Sequence, residues 1–154
     1  MVDWVLVELR LGEGPETTEG RRAGLLLTDG RIVDLDGASR LAFSGLPDGN
    51  YFVVVRHRNH LPAMASSPAA LTNTPGPTGA PFDVILPAPL VAGDASADGH
   101  IRNDDKNEYW FTAQGQSGYL PGDFNLDGQV TEADRDTWWR RNVGRSAAET
   151  INPQ

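Results

Sequence analysis

The sequence predicts a mainly β chain with a small α part: an N-terminal antiparallel β-sandwich followed by a C-terminal pair of loop–helix repeats. Three observations lead to this fold class. Short apolar segments rich in β-branched and aromatic residues alternate with turn formers over the first 60 residues. The 17 glycines and 11 prolines favour turns and short strands over long helices. The last third of the chain contains an acidic pattern that occurs twice.

Six segments have the composition of short strands, namely residues 4–9, 24–28, 32–35, 41–46, 51–55 and 82–86. Asp29-Gly30 separates the second from the third and fits the tight type I′ turn of a β-hairpin. Short strands at this spacing indicate a sandwich, which we assign to residues 1–88. Residues 61–81 are rich in Pro, Ala, Ser and Thr, so we expect an extended loop there. Pro87 and Pro89 mark the junction to a second domain at residues 89–154.

The segment Leu46-Pro47-x-Gly49-x-Tyr51, followed by three valines at 53–55, resembles a motif of prealbumin-like sandwiches. Such sandwiches occur as accessory domains in bacterial surface proteins. The resemblance covers residues 1–86. It implies that the turn directs Tyr51 into the core and that the valines pair with a neighbouring strand.

Composition excludes several classes of function. The formal net charge of −8 argues against nucleic-acid binding, which needs a clustered excess of Lys and Arg. The absence of cysteine excludes disulfides, thiol catalysis and zinc–thiolate sites. No apolar run reaches the length of a membrane span, so we expect no membrane insertion. Residues 1–12 lack the pattern of a signal peptide, so an exported protein would correspond to a mature chain or a piece of a longer one.

The duplicated pattern occupies residues 94–105, here called loop 1, and residues 123–134, here called loop 2. Both loops carry oxygen-bearing side chains at positions 1, 3, 5 and 12 and a glycine at position 6. Calcium is bound by six to eight hard oxygen donors, which a tightly coiled loop supplies from alternate side chains and the carbonyl at position 7. Glycine at position 6 permits the sharp bend that such a loop makes. The pattern therefore predicts two calcium ions, one in each loop.

Residues 92–145 resemble the dockerin family, in which each repeat is a calcium loop with Asp at position 12 followed by one helix. The resemblance implies ligands from side chains and from the carbonyl at position 7: Asp94, Ser96, Asp98, His100 and Asp105 in loop 1, and Asp123, Asn125, Asp127, Gln129 and Asp134 in loop 2. Thr131 at position 9 of loop 2 is expected to hold a water or to supply its own oxygen. Arg102 at the matching place of loop 1 cannot be a ligand, so loop 1 is expected to be the poorer site.

Helices are predicted after both loops, a short one at 105–111 and a longer one at 132–142 that Gly144 would cap. Adjacent Trp138 and Trp139 cannot face the same neighbour, so we expect one in the core and the other at an interface. In paired loops of this kind the apolar residues at position 8 face each other. The resemblance thus implies a bridge between Ile101 and Val130.

No motif in the chain indicates an enzyme, since G-x-S-x-G, H-E-x-x-H and phosphate-binding glycine loops do not occur in it. His57 and His60 could be imagined as metal ligands. Three residues apart at a strand end they are not expected to share a face, so a solvated or hydrogen-bonding role is favoured. The sequence therefore predicts a non-enzymatic protein.

A strand-rich domain that runs into two such loops resembles the C-terminal regions of large secreted bacterial proteins, so we expect an extracellular or cell-surface location. Three functions are open. The first is noncovalent self-assembly of copies of the chain into a surface layer or fibre. The second is recruitment by a cohesin-like receptor, although positions 10 and 11 of the loops depart from the small Ser-Thr pair of cellulosomal dockerins. The third is carbohydrate binding by the sandwich.

Overall fold

The computed structural model describes residues 3–72 and 80–148. Among the described residues, strands predominate and the helices are short, so the prediction of a mainly β protein with a small α part is confirmed. The chain divides into two compact units. The described part of the first unit comprises residues 3–56, 63–72 and 80–89, and that of the second comprises residues 57–62 and 90–148.

The first unit is built on a curled antiparallel sheet. Its strands pair in the order β6-β5-β1-β2-β3-β9, β7 also pairs with β5, and β4 and β8 form a separate two-stranded ladder. The strands are β1 (Asp3–Arg10), β2 (Thr18–Leu26), β3 (Arg31–Val33), β4 (Leu41–Phe43), β5 (Gly49–His57), β6 (His60–Met64), β7 (Ala69–Leu71), β8 (Ala80–Phe82) and β9 (Val84–Ile85). A 3₁₀ turn at Pro15–Thr17 connects β1 to β2.

Strand β1 lies at the centre because its partners cover both of its edges. It pairs with β2 from Asp3↔Leu26 to Arg10↔Thr18 and with β5 from Leu6↔Arg56 to Arg10↔Phe52. Alternate residues of β1 are fully buried apolar side chains, namely Val5, Val7 and Leu9. Each such side chain stabilises the fold by about 1.5–3 kcal/mol relative to an exposed position.

Strand β5 brings Tyr51 into the core, where its side chain is fully buried. The Tyr51 hydroxyl donates a hydrogen bond to the carbonyl of Pro47 at 2.9 Å, so the turn before β5 is tied to the strand that follows it. The valines at 53–55 pair with Leu9, Glu8 and Val7 of β1. Tyr51 and the valines therefore lie as the sequence motif implied.

A buried ionic cluster surrounds Glu8, which is 2% exposed. Arg10 Nη2 lies 2.6 Å from Glu8 Oε2, and the Nε atoms of Arg21 and Arg56 both lie 3.1 Å from Glu8 Oε1. Burial raises the pKa of Glu8, but the hydrogen bond from Arg10 and the charges of Arg56 and Arg10 outweigh it, so the pKa lies below its ordinary value. The cluster satisfies a carboxylate that would otherwise be costly to bury.

The β2–β3 hairpin forms where Asp29-Gly30 predicted it, but the predicted turn type is wrong. Leu27 N–H donates to the Arg31 carbonyl and Gly30 N–H donates to the Leu27 carbonyl, which defines a three-residue loop. Among the described residues outside glycine, positive φ occurs only at two positions elsewhere in the chain, so Asp29 does not adopt the type I′ conformation. Gly30, at φ 87°, supplies the left-handed residue that closes a three-residue hairpin.

The segment 61–81, expected to be an extended loop, contains most of β6 and all of β7. The strand signal is the alternation of buried and partly exposed residues in β6, in which Leu61 and Ala63 are buried. Prolines and small residues mask this alternation, and strands of three to five residues need few ladder hydrogen bonds. Residues 73–79, the centre of the expected loop, lie outside the described residues.

The second unit holds two short helices, each beginning at the last residue of one of the acidic loops. Helix α1 is π-helical over Asp105–Trp110 and α-helical over Phe111–Ala113, and α2 is π-helical over Asp134–Trp139 and α-helical over Arg140–Asn142. Both predicted helices are confirmed. Strand β10 (Val91–Ala92) pairs with the first residues of β6 through Val91↔Leu61. The core of this unit consists of Leu61, Ala92, Ala95, Ile101, Trp110, Ala113, Phe124, Val130 and Trp139.

Within the described part of the chain, every helix is too short or too polar to cross a membrane.

Candidate calcium-binding loops

The backbones of loops 1 and 2 bend in the same way. Position 4 of each loop has a left-handed backbone, with φ 58° at Ala97 and φ 63° at Leu126. These are the only non-glycine residues with positive φ among those described, and such a conformation is costly for a residue with a Cβ. Position 6 is glycine in both loops, at φ 82° for Gly99 and 87° for Gly128. The shared bends place both loops in one local conformation.

The acid at position 1 of each loop is buried and accepts hydrogen bonds from its own loop. Asp94 is 0% exposed and Asp123 is 2% exposed. In loop 1 the N–H of Asp98 donates to Asp94 Oδ1 at 3.1 Å, and that of Gly99 donates to Asp94 Oδ2 at 3.0 Å. In loop 2 the N–H groups of positions 5 and 6 donate to Asp123 in the same way, at 3.1 and 3.0 Å. The backbone thus coils around the first carboxylate.

The acid at position 12, the first residue of the helix, closes the loop from the other side. Asp105 is 1% exposed and Asp134 is 0% exposed. The N–H groups of positions 3 and 9 donate to opposite oxygens of Asp105 at 2.9 and 2.7 Å, and to those of Asp134 at 3.0 and 2.8 Å. Thr131 Oγ1 also contacts Asp134 Oδ2, at 3.1 Å. The loop is therefore fixed at both ends by buried carboxylates.

The side chains at positions 3 and 5 lie nearer the surface than these acids. Ser96 Oγ lies 3.4 Å from Asp94 Oδ1, and Asn125 Nδ2 donates to Asp127 Oδ2 at 2.9 Å. The position 5 acids each accept the N–H of position 7, at 2.8 Å for Asp98 and 2.9 Å for Asp127. Positions 1, 3 and 5 are thus linked to one another within each loop.

Position 7 takes part in an isolated β-bridge in both loops, His100↔Ser146 and Ser117↔Gln129. The hydrogen bonds of the first bridge are made by its flanking residues, since Ile101 N–H donates to Arg145 and Ala147 N–H donates to Gly99. The bridge at Gln129 is made in the same way, since Val130 N–H donates to Gln116 and Gly118 N–H donates to Gly128. The carbonyls of His100 and Gln129 therefore lie outside the bridge hydrogen bonds, as ligand carbonyls would need to.

The electrostatics of both loops favour a bound cation. Burial raises the pKa of Asp94 to about 6, and the charges of Asp105 and Asp98 add to the rise. Burial likewise raises the pKa of Asp123, with a further contribution from Asp134, while the charge of Arg58 opposes it. Carboxylates that are buried together repel one another, and a divalent ion between them would remove that cost.

The donor set fits calcium, since every side chain at positions 1, 3, 5 and 12 offers oxygen. A carboxylate has about four acceptor sites, and the loop N–H groups fill two of those of Asp105. In the arrangement of the described residues, no three His, Asp or Glu side chains are yet gathered closely enough to hold an ion.

Comparisons with protein-family models, curated proteins and solved structures found no match. The two loops are therefore described from their own residues and from the backbone conformation and hydrogen bonds that they share.

Ile101 and Val130, which were expected to form the bridge between the loops, are both fully buried in one core cluster, but their backbones pair with other segments. Ile101 N–H donates to Arg145 and its carbonyl accepts from Gly144, while Val130 makes the equivalent pair of bonds with residues 115 and 116. Each loop is therefore closed by the segment that follows the helix of the other repeat. The sequence pattern shows that both residues are apolar. It does not show which segments their backbones pair with.

Two tryptophans tie the repeats together, and their equivalence could be found in the sequence because they lie 29 residues apart. The indole N–H of Trp110 donates to the carbonyl of Thr131 at 2.7 Å, and that of Trp139 donates to the carbonyl of Arg102 at 3.0 Å. Trp139 is buried, which confirms that one of the two tryptophans lies in the core, whereas Trp138 is 43% exposed and its expected place at an interface stays a prediction. Each helix thus hydrogen-bonds to position 9 of the other loop.

Cations at matching positions cover the same two rings. Lys106 Nζ lies 5.3 Å from the centre of the Trp139 ring, and Arg135 Cζ lies 4.9 Å from the centre of the Trp110 ring. A Cβ on Gly122, just before loop 2, would lie 2.9 Å from Trp110 Cα, so glycine is required for this close approach. The two repeats therefore share one interlocked core.

The β5–β6 turn, at residues 58–59, contacts the loops in a way that the sequence did not indicate. Asn59 is fully buried, and its Nδ2 donates to the carbonyls of Pro121 at 3.1 Å and Asp123 at 2.7 Å. The backbone carbonyl of Asn59 accepts a hydrogen bond from the N–H of Gly93 at 3.0 Å. Asn59 therefore joins the residue before loop 1 to the first residue of loop 2.

His57 and His60 lie against each other, contrary to the expectation that they would not share a face. Their ring centres are 4.7 Å apart in an edge-to-face arrangement. The reason is the tight turn, which places the last residue of β5 opposite the first residue of β6. His60 Nδ1 lies 2.7 Å from Asn59 Oδ1, so a hydrogen-bonding role for this histidine is confirmed.

Proposed function

We propose that this chain is a non-enzymatic, calcium-stabilised extracellular structural module that associates noncovalently with other copies of itself, as a subunit of a surface layer or fibre. One observation carries the proposal. Both loops wrap the same pattern of backbone N–H groups around two buried acids, at positions 1 and 12. Such costly burial of paired carboxylates, repeated 29 residues apart, is the signature of a cation site.

In this proposal calcium acts structurally. When bound, the ion supplies positive charge that offsets the repulsion among the loop carboxylates. It would be held by the side chains at positions 1, 3, 5 and 12 and the carbonyl at position 7, with Thr131 contributing at position 9 of loop 2. Since the ion binds the folded loops and not the unfolded chain, its binding energy becomes folding energy for the second unit. Millimolar calcium outside cells would fill even weak sites of this class.

Self-association is supported by the edge of the sheet in the first unit. Strand β9 ends the strand order, and Ile85 on it is 66% exposed. Trp4, on β1, is 47% exposed. An exposed strand edge with apolar side chains can pair with a strand from another chain.

Recruitment by a cohesin-like receptor is the second candidate, and the exposed aromatic side chains on the helices favour it. Phe111 on α1 is 67% exposed and Trp138 on α2 is 43% exposed. Aromatic residues are enriched at the centres of protein interfaces. This function would need the helices, whereas self-assembly would use the sheet edge.

Sedimentation velocity over a range of protein concentrations, with calcium and with chelator, tests the proposed function. We expect growing assemblies in calcium, and I85K on β9 should reduce them because a charge blocks strand pairing at the edge. W138S on α2 is the matched control and should assemble normally. A chain that stays monomeric at high concentration in calcium would contradict self-assembly and leave recruitment as the better candidate.

A further inference from the structure

Arg58, in the β5–β6 turn, lies beside the first acid of loop 2. Its Nη2 is 4.0 Å from Asp123 Oδ2, and the two side chains are 12% and 3% exposed. Two further contacts hold the guanidinium in place. It donates a hydrogen bond to the carbonyl of Leu120, and its Cζ lies 3.8 Å from the centre of the Tyr119 ring. Arg58 is therefore a fixed positive charge next to an expected calcium ligand.

Loop 1 also carries an arginine beside an expected ligand, but in a different setting. Arg102 Nη1 lies 3.4 Å from Asp98 Oδ2, and the two side chains are 53% and 42% exposed. An exposed pair of this kind is screened by water and its side chains move apart readily. The buried pair in loop 2 is screened much less, so its charge acts more strongly on any ion in the loop.

We propose that Arg58 is the resident counter-ion of loop 2 and sets the calcium affinity of that loop. This inference rests on the proposed calcium binding. Without calcium, the guanidinium offsets the repulsion between Asp123 and Asp134 and keeps loop 2 folded. With calcium, the same positive charge repels the ion and speeds its release. Loop 2 is thereby kept formed at low calcium at the cost of weaker binding.

The inference predicts that removing the charge slows calcium release from loop 2. The test loads the full chain with calcium and follows release into a fluorescent chelator, so that every variant starts folded. The phase that belongs to loop 2 is identified by its loss in D127A. We expect R58M to slow this phase about tenfold and to lower the melting temperature measured in chelator. R58K retains the charge, so its release should stay within about threefold of the wild-type rate.

The matched control is R102M, which removes the exposed arginine of loop 1 and should change release from that loop by less than about threefold. An unchanged loop 2 phase in R58M would overturn the inference, as would equal slowing in R58M and R58K, which would point to packing and not charge. Should R58M fail to fold even with calcium, R58Q tests the same loss of charge. A wild-type chain that binds no calcium at all would instead overturn the proposed function, and this inference with it.

Discussion

Asn59 shows how a single side chain can connect distant parts of the chain. It lies between basic residues and histidines, a context typical of a solvated surface. Its burial follows from the turn between β5 and β6, which carries it into contact with residues more than 60 positions later. Local sequence contains no signal for such a contact, because the partners are backbone carbonyls.

We expect N59A to destabilise the second unit by about 2–3 kcal/mol, since it removes two hydrogen bonds and leaves the carbonyls of Pro121 and Asp123 buried without this donor. Chemical denaturation followed by tryptophan fluorescence measures the change. The control is N50A on β5, where the side chain is exposed, and it should change stability by less than about 0.5 kcal/mol. Equal effects of the two substitutions would contradict the role of Asn59.

Glu8 makes the stability of the first unit depend on pH. Its pKa in the folded chain lies below the ordinary value of 4.5, so it contributes stability above that pH. The contribution is lost as the pH falls through the lowered folded pKa, where the carboxylate becomes protonated. Removing one partner of a buried ion pair costs about 3–5 kcal/mol. We expect E8Q to be destabilised by about that amount at neutral pH and to approach the wild type in acid. A difference that stays constant in denaturation curves from neutral pH to about pH 3 would be inconsistent with this account.

At the scale of elements, each loop depends on the segment that follows the opposite helix. Ile101 and Gly99 of loop 1 bond to residues 145 and 147, whereas Val130 and Gly128 of loop 2 bond to residues 116 and 118. The last described residues of the chain are therefore part of the framework of loop 1. Each repeat thus supplies the segment that closes the loop of its partner, which gives a physical reason for the pattern to occur as a pair.

A chain that stops after Gly144 should therefore retain one calcium ion in place of two. Loop 1 loses the partner of the Ile101 N–H (Arg145) and that of the Gly99 carbonyl (Ala147), while loop 2 keeps both of its own. Native mass spectrometry in calcium counts the bound ions. A chain that stops after Ala148 keeps these partners and serves as the control. Two ions bound to the shorter chain would show that the closing segment is not needed.

Helices and strands differ in how well their sequences predicted them. Acids at the start and arginines at the end of residues 132–142 indicated α2, because these charges complement the helix dipole. The β2–β3 hairpin was predictable from Asp29-Gly30, but its turn type depends on strand register, which two residues do not determine. Strand β6 was missed because proline and alanine hide its alternation.

At the scale of the whole molecule, the mainly β class was predicted correctly from composition and from the regular spacing of short strand-like segments. The division of the chain was harder to predict, because residues 57–62 belong to the compact unit of the loops although they include the end of β5 and the start of β6. Among the predicted ligand residues, the four acids at positions 1 and 12 are buried, and their role as calcium ligands stays a prediction. Arg58 and Asn59 were not predictable, since they reach the loops only through the fold.

We propose two calcium sites in one chain, and this claim predicts a specific stoichiometry. Isothermal titration calorimetry of the metal-free full chain with calcium measures it directly. We expect two ions per chain for the wild type, one for D98A and one for D127A, because each variant loses the position 5 carboxylate of a single loop. A wild-type chain that gives no binding heat, or variants that still bind two ions, would contradict the claim.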